Sequence, residues 1–288
     1  MEMTRIGLIG TGVMGKGIGL NLIRAGHELH LYTRTKEKAK TLIEQGATWH
    51  DRIPTVAENC QVILTIVGYP SDVEDIYFGS TGIIANAKPG SLLIDMTTSK
   101  PALAEKIAIE AQHQQLIALD APVSGGDIGA QNGTLSIMVG GDQTGFIHAR
   151  PLFEIIGENI IHQGPAGAGQ HTKMCNQITI ASNMIGVSEA MAYARKAGLN
   201  PDQVLKSITS GAAGSWSLSH LAPRMINEDF SPGFYVKHFI KDMCIALETA
   251  EEMELSTPGL QLAYQLYQQL AEAGEQDSGT QALIKLFN

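Results

Sequence analysis

A glycine-rich segment near the amino terminus constrains the fold of this chain more than any other feature. Residues 10–15 have the sequence GTGVMG, which places glycines at positions 10, 12 and 15. A short strand-like run at 5–9 precedes the segment, helical spacing of apolar residues follows it as far as Gly26, and polar and apolar residues alternate over 27–32. A strand, a GxGxxG turn, a helix and a second strand in this order predict a dinucleotide-binding βαβ unit.

Each glycine of this segment has its own physical reason. Gly10 allows a tight turn, Gly12 lets the backbone approach a pyrophosphate, and Gly15 permits close packing of the helix on the strand. The N-terminus of the following helix then offers N–H groups and the positive end of its dipole to the phosphates. The sequence therefore predicts a bound dinucleotide, and the alternative is a glycine-rich turn without a ligand.

The end of the second strand bears on which dinucleotide is bound. NAD-binding units usually carry an acidic residue there, which binds the ribose 2′-hydroxyl. This chain has Arg34 instead, followed by Lys36 and Lys38. A guanidinium group pairs well with a 2′-phosphate, so we predict NADP, with NAD as the second choice. The alternative is that Arg34 begins a solvated helical face with the two lysines.

Strand and helix patterns alternate through the first part of the chain and then give way to helices alone. Further strands are predicted at 62–67, 91–96, 116–120, 135–139 and 159–162, and helices at 71–78, from Pro101, and at 146–156. Later helices are predicted at 166–197, 202–210, 236–254, 258–273 and 280–287. We therefore predict an α/β fold with a Rossmann-like domain over residues 1–164. An all-α domain over 165–288 follows, joined to it by the long helix from about 166 to 197.

Composition excludes several classes of function. The net charge is −9 and there is no long basic run, which argues against a nucleic-acid or membrane-surface binder. The three cysteines are widely spaced, which suits neither a disulfide framework nor a metal motif. No signal peptide and no apolar run of the ~18–20 residues needed to cross a bilayer is recognisable. We expect a cytoplasmic protein without a metal site.

Two polar segments follow predicted strands, where open parallel sheets bind their ligands. Thr98 lies just before Pro101, so its hydroxyl either caps the helix that the proline begins or contacts the cofactor. Ser124, Gly125 and Gly126 follow the fifth strand and expose backbone N–H groups with one hydroxyl. That combination suits an anionic group or a carbonyl oxygen, and the alternative is a simple tight turn.

Lys173 lies about one turn inside the long predicted helix, after the glycines at 164, 167 and 169. Hydride transfer to a carbonyl group requires a proton at the carbonyl oxygen. A lysine pKa of about 10.4 is high for that task, but burial and the positive end of a helix both lower it. We hypothesise that Lys173 is the general acid and base; the alternative is a solvated surface lysine.

Four motifs occur in order along the chain: residues 7–15 with Asn21, residues 120–126, residues 164–173, and the pair Lys241 and Asp242. Together they make the whole chain resemble the β-hydroxyacid dehydrogenase family. That family includes 3-hydroxyisobutyrate dehydrogenases, tartronate semialdehyde reductases and glyoxylate/succinic semialdehyde reductases. The resemblance implies NAD(P)-dependent oxidation of a small hydroxy acid. Family members that have an arginine at the position of Arg34 tend to use NADP, which agrees with the prediction made above from the charge of Arg34.

The motifs and the resemblance together give a set of candidate site residues, with Lys173 and Asn176 as the catalytic ones. The predicted cofactor contacts are Gly10, Thr11, Gly12, Val13, Met14, Gly15, Arg34, Thr98 and Lys241. The predicted substrate contacts are Ser124, Gly125, Gly126, Lys173, Asn176 and Gln177. Many family members carry Asn four residues after the lysine, whereas this chain has Asn176 at three and Gln177 at four. Either amide shares a helix face with Lys173, and we rank Asn176 first because its side chain is shorter.

The sequence predicts a class of substrate and a range of oligomeric states, but not the individual substrate or the number of subunits. Hydroxyl, amide and lysine groups without an arginine clamp favour a small 3-hydroxy acid or its semialdehyde over a phosphosugar. Relatives form dimers or tetramers, so we expect a homodimer or a homotetramer. A redox sensor or scaffold that binds a dinucleotide without turnover is one alternative. An imine reductase, which shares the architecture by resemblance, is the other.

Overall fold

The computed structural model describes residues 4–287. It contains two compact units, one reaching Lys173 and the other beginning at Met174. The division falls inside a helix that runs from Ala168 to Lys196, where the sequence predicts a helix over about 166–197. Among the residues described, no helix is both long enough and apolar enough to cross a membrane.

The elements of the described chain follow in sequence order. The strands are β1 (Arg5–Ile9), β2 (Glu28–Tyr32), β3 (Thr48–Trp49), β4 (Val62–Thr65), β5 (Leu92–Asp95), β6 (Ile117–Asp120), β7 (Val123–Ser124), β8 (Leu135–Gly141) and β9 (Gly157–Gly164). The helices of the first unit are α1 (Val13–Arg24), α2 (Lys40–Glu44), α3 (Ile53–Asn59), α4 (Pro70–Tyr77), α5 (Ile83–Asn86), α6 (Pro101–His113), α7 (Gly126–Asn132) and α8 (Gln143–Ile156). Those that follow are α9 (Ala168–Lys196), α10 (Pro201–Ile208), α11 (Trp216–His220), α12 (Ala222–Ile226), α13 (Val236–Glu252) and α14 (Pro258–Leu270). Short 3-10 helices occupy Lys36–Ala39 and Thr280–Phe287, and a π-helical turn occupies Ala271–Glu275.

The strands of the first unit form a single sheet. Its order is β3-β2-β1-β4-β5-β6-β8-β7, and β9 pairs with β8. Neighbours from β3 to β6 are parallel, whereas β8 runs antiparallel to both β6 and β7. The carboxyl ends of the parallel strands therefore share one edge, which is where such sheets bind ligands.

The central strands are apolar because both faces of the sheet are covered. On β1, Ile6 and Leu8 belong to one buried cluster, whereas Ile9 belongs to a second buried cluster with Ile63 of β4. This explains the continuous apolar runs that the sequence shows there. The helical unit has its own core, in which Phe239 and Tyr267 are fully buried.

The predicted α/β unit followed by helices is confirmed, and each strand predicted from the sequence is present. Six short α-helices and two short strands escaped the sequence patterns: α2, α3, α5, α7, α11 and α12 are four to seven residues long, and β3 and β7 have two residues each. Helices this short complete fewer than two turns, so a 3.6-residue period has little length in which to appear. The predicted helix at 280–287 is a 3-10 helix.

Candidate active site

The dinucleotide loop between β1 and α1 is shaped by two of its glycines. Gly10 has a φ of 101°, and a Cβ there would overlap the carbonyl oxygen of Ile66. A Cβ at Gly15 would likewise overlap the carbonyl oxygen of Gly10. The tight turn predicted for Gly10 and the close packing predicted for Gly15 are both confirmed.

Gly12 differs from Gly10 and Gly15 because no contact with the described residues requires it to be glycine. Its φ is −66°, and a Cβ built on it meets no atom within 4 Å. Gly12 is the N-cap of α1, which has neither a side-chain cap nor an acidic residue in its first turn. The residues present therefore fit a bound pyrophosphate, since the first N–H groups of α1 are uncapped and carry no adjacent negative charge.

The other three residues predicted to contact the cofactor in this loop differ in exposure. Val13 is 51% exposed, Met14 is half-buried and Thr11 is buried. The Thr11 hydroxyl has no hydrogen-bond partner within the part of the chain that the structure describes.

Arg34 lies two residues after β2, and its side chain is 78% exposed. Its Nη1 pairs with the Oδ1 of Asp72 at 2.9 Å, and Asp72 belongs to the first turn of α4. The 3-10 helix begins after Arg34, at Lys36, whose Nζ lies 4.4 Å from the centre of the Trp49 ring. Arg34 therefore lies outside the helix that carries the two lysines, although all three side chains are exposed, and its contact with the cofactor stays a prediction.

Thr98 lies in the loop between β5 and α6 and is half-buried. Pro101 does begin α6, but the N-cap position belongs to Lys100. The capping role considered for Thr98 is wrong because an N-cap must directly precede the first helical residue. The residues on either side of Thr98 are held by Gln170: its Oε1 accepts the Ser99 N–H at 2.9 Å, and its Nε2 donates to the Thr97 carbonyl at 2.7 Å.

Asp120, the last residue of β6, caps the start of α9. One carboxylate oxygen accepts the Gly167 N–H and the other accepts the Gln170 N–H, both at 2.8 Å. Burial raises the pKa of the Asp120 carboxyl, and the backbone hydrogen bonds oppose that rise. The sequence prediction for Lys173 considered its burial and the positive end of this helix. The structure adds a buried acidic group directly at that end, which offsets it.

Lys173 is buried, with 6% of its surface exposed. Its Nζ donates a hydrogen bond of 2.8 Å to the carbonyl oxygen of Val123. The alternative of a solvated surface lysine is therefore wrong. Because Val123 directly precedes Ser124, this bond brings the predicted catalytic lysine to the predicted substrate segment, across 50 residues of sequence.

The substrate segment connects a strand to a helix. Ser124 ends β7 and is half-buried, Gly125 is the N-cap of α7, and Gly126 begins that helix. Gly125 has a φ of 131° and Gly126 a φ of 64°, a region that other residues rarely adopt. Two successive glycines with positive φ thus make this connection, which agrees with the turn of the alternative interpretation, and the ligand role of the segment stays a prediction.

In the helical unit, a chain of hydrogen bonds and one ion pair connects four polar side chains. The Asn176 amide donates to Gln177 Oε1 at 2.7 Å, and Gln177 Nε2 donates to Asp242 Oδ2 at 2.6 Å. Lys241 Nζ then pairs with Asp242 Oδ1 at 2.8 Å. Gln177 and Asp242 are buried, at 1% and 2% exposure. The sequence predicts that Lys241 contacts the cofactor. It does not show that Asp242 connects Lys241 to Gln177 and Asn176, because 65 residues separate Gln177 from Asp242.

Comparison with known proteins identifies the family. Residues 5–164 match a family described as the NAD binding domain of 6-phosphogluconate dehydrogenase. Residues 167–287 match one described as the NAD-binding domain of NADP-dependent 3-hydroxyisobutyrate dehydrogenase.

Individual relatives are similar to this chain over almost its whole length. The chain is 64% identical to "Uncharacterized oxidoreductase YkwC" of Bacillus subtilis, covering 98% of each protein. It is 49% identical to "Probable 3-hydroxyisobutyrate dehydrogenase-like 1, mitochondrial" of Arabidopsis thaliana, covering 98% of this chain and 84% of the relative. The solved 3-hydroxyisobutyrate dehydrogenase of Mycobacterium tuberculosis with L-serine superposes with a TM-score of 0.91 at 31% identity, covering 100% of both chains. The chain therefore belongs to the β-hydroxyacid dehydrogenase family, as its four ordered motifs predict.

Proposed function

We propose that this protein transfers a hydride between NADP(H) and a small 3-hydroxy acid or its semialdehyde, with Lys173 as general acid and base. The observation that carries the proposal is the 2.8 Å bond from Lys173 Nζ to the Val123 carbonyl. This bond holds the buried Lys173 amine next to Ser124, the first residue of the predicted substrate segment. An acid–base group must be within hydrogen-bond reach of the reacting oxygen, and this placement meets that need for a substrate bound at Ser124.

The proton chemistry follows from the position of Lys173. A bound nicotinamide accepts the hydride in one direction and supplies it in the other. During oxidation, neutral Lys173 takes the proton from the hydroxyl group of the substrate as that carbon becomes a carbonyl. During reduction, the ammonium form of Lys173 returns the proton to the oxygen, which would otherwise keep a full negative charge. The Val123 carbonyl keeps Nζ in one position in both directions.

Of the two candidate amides, we propose that Asn176 contacts the substrate and that Gln177 positions it. Both ends of the Gln177 amide are engaged, one by Asn176 and the other by Asp242. Gln177 is 1% exposed, whereas Asn176 is only partly buried. Asn176 is thus held in one orientation by a buried neighbour, which keeps its side chain ordered for a ligand.

The absence of an arginine clamp supports a small substrate. In the described part of the helical unit, Arg195 donates to the Met225 carbonyl at 2.9 Å, and Arg224 pairs with Asp229 at 2.8 Å. Both guanidinium groups thus bind protein groups. A substrate carboxylate would meet the Ser124 hydroxyl and the backbone N–H groups of the glycines instead. The solved relative that contains L-serine, itself a 3-hydroxy acid, fits this class.

For the cofactor we propose NADP, bound at its 2′-phosphate by Arg34. The exposed guanidinium now faces a carboxylate, that of Asp72, and a phosphate offers the same paired oxygens with more charge. In Arg34→Ala we expect the Kd for NADPH to rise about 10- to 100-fold, the range of one charge-assisted hydrogen bond, with the Kd for NADH nearly unchanged. Titration of both cofactors by fluorescence measures this. A wild-type protein that clearly prefers NADH would contradict it.

A panel of 3-hydroxy acids and semialdehydes, assayed with both cofactors, tests the reaction itself. Lys173→Ala should lower kcat by at least about 10²-fold at unchanged dinucleotide Kd. Lys196→Ala, an exposed lysine at the other end of α9, is the matched control and should keep full activity. A much smaller loss in Lys173→Ala would refute its role.

The same panel separates the alternative functions. Dinucleotide binding without any turnover would favour a sensor or scaffold, and turnover of cyclic imines would favour an imine reductase. We also propose that the protein is cytoplasmic, which cell fractionation would test. We propose that it forms a homodimer or a homotetramer, which light scattering of the purified protein would test.

A further inference from the structure

Helices α1 and α7 pack with their backbones in direct contact. A Cβ at Gly17 of α1 would lie 2.8 Å from the carbonyl carbon of Ala130 and 2.9 Å from the nitrogen of Gln131. Carbon atoms do not approach backbone that closely, so any larger residue at Gly17 would push the two helices apart. This glycine therefore sets the distance between α1 and α7.

Asn21, one turn further along α1, bonds the two helices together. Its Nδ2 donates to the Ala130 carbonyl at 2.9 Å and to the Gln131 carbonyl at 3.3 Å. The last carbonyl groups of a helix have no partner within that helix, so Asn21 satisfies groups that α7 cannot satisfy itself. Arg24 Nη1 donates to Asn21 Oδ1 at 3.2 Å, which fixes the orientation of the amide.

The two helices begin at the two predicted ligand segments. Helix α1 begins at Val13, inside the dinucleotide segment at residues 10–15, and α7 follows Ser124 and Gly125. Because α7 is only seven residues long, a contact at its last turn also fixes its first. We propose that Asn21 is a positioning residue that holds the substrate segment, residues 124–126, in register with the dinucleotide loop. The inference rests on the ligand roles proposed above for these two segments.

Asn21→Asp is the sharpest kinetic test, because the carboxylate has the same shape but no N–H to donate. We expect KM for the hydroxy acid to rise and kcat to fall, each by about 10-fold, since small misplacements of a bound substrate cost up to about 10²-fold. The Kd for NADP⁺ should change by less than about 2-fold, because the loop itself is intact.

Asn86→Asp is the matched control. Its Nδ2 also donates to two carbonyl groups, those of Ser80 and Gly82, at 3.1 and 2.7 Å. It precedes β5 and therefore lies at the opposite end of that strand from Thr98. We expect a similar loss of Tm but no change in KM. Equal kinetic effects in the two variants would show that Asn21 has only a structural role.

Hydrogen–deuterium exchange with NADP⁺ as the probe does not depend on turnover. In the wild type, NADP⁺ should protect amides of the loop at 10–15 and also those at 125–134. In Asn21→Asp the first protection should remain and the second should disappear. Unchanged protection at 125–134 would overturn the proposal.

Arg24→Ala is the second variant, to be used if Asn21→Asp fails to fold. It removes only the bond that orients the Asn21 amide, so the protection at 125–134 should fall by a smaller amount. Full protection of 125–134 in Arg24→Ala would refute the proposal.

A wild type that turned over nothing in the panel would refute the proposed function, and the exchange experiment would still decide the role of Asn21.

Discussion

The dinucleotide loop and the start of α9 are both turns that lead into a helix, but they are built differently. In the loop, α1 begins at Gly12 without a side-chain cap, so its first N–H groups can bind a ligand. At α9, the Asp120 carboxylate accepts the N–H groups of Gly167 and Gln170. One helix start is thus available to an anion, whereas the other is already occupied by a buried acid and presents the Lys173 side chain. A helix N-terminus is an anion site only where the protein leaves its N–H groups uncapped.

The largest expected effect comes from substituting the glycines of the loop. Gly15→Ala should prevent stable folding, because its Cβ would overlap the Gly10 carbonyl. Gly12→Ala should fold normally, because a Cβ there meets no atom within 4 Å. It should nevertheless raise the dinucleotide Kd at least about 10-fold, since the methyl group would stand where the pyrophosphate approaches. Thermal melts and cofactor titration measure the two effects.

The control for these substitutions is Gly186→Ala in α9, where a Cβ also meets no atom within 4 Å. Alanine is the better helix former, so this variant should be at least as stable as the wild type and bind the dinucleotide equally well. If Gly12→Ala also bound like the wild type, the loop would not be the pyrophosphate site, and the contrast with α9 would fail.

This contrast also explains which parts of the site the sequence could predict. Most requirements of the loop are local: a Cβ at Gly15 would overlap the Gly10 carbonyl, and Gly10 itself has a φ of 101°. Only the close approach of Gly10 to the Ile66 carbonyl depends on a distant residue. The start of α9 depends on Asp120, which lies 47 and 50 residues from its two partners. Its aspartate could be recognised as part of a family motif, but no pattern in one sequence shows which N–H groups it accepts.

Two further cases show the same limit. For Thr98 the sequence left a helix cap and a cofactor contact open, and the cap is excluded because Lys100 holds the N-cap position. The preference between Asn176 and Gln177 could be stated only on side-chain length. Its support now comes from Asp242, 65 residues away, which engages the amide of Gln177. Residue types and helix faces could thus be predicted, but the partners of buried polar groups could not.

The buried carboxyl of Asp95 should make the stability of the first unit depend on pH, whereas the dinucleotide segment at 10–15 contains no acidic residue. Asp95 of β5 pairs in register with Asp120 of β6. Burial raises the pKa of Asp95 from 3.8 to about 6, against hydrogen bonds from Thr97 and Thr65 and with a smaller contribution from Asp120. The pKa of Asp95 is thus higher in the folded protein than in the unfolded chain. Its contribution to the free energy of unfolding is therefore complete below about pH 4 and is lost as the pH rises through about 6.

Asp95→Asn tests this directly, since the amide oxygen can still accept the bonds from Thr65 and from the Thr97 N–H. The difference in unfolding free energy between variant and wild type should grow in favour of the variant by about 3 kcal/mol between pH 4 and 7. Urea unfolding at a series of pH values measures it. A difference that stays constant with pH would show that Asp95 titrates at its ordinary pKa in the folded protein.

The smallest expected effect separates a cap inside the site from one outside it. Asp120→Asn keeps one acceptor oxygen but turns an amide N–H₂ toward the second backbone N–H, which should cost about 1–2 kcal/mol of stability. Asp142→Asn is the control, because Asp142 caps α8 through one oxygen, Oδ2, which accepts the N–H groups of Thr144 and Gly145 at 2.8 and 3.0 Å. An amide oxygen can keep both of those bonds, so Asp142→Asn should change stability and kcat little. Asp120→Asn should lower both, because it loses one of its two bonds and because that cap positions the helix that carries Lys173. Equal kcat in the two variants would mean that the first turn of α9 is held well enough by Gln170 alone.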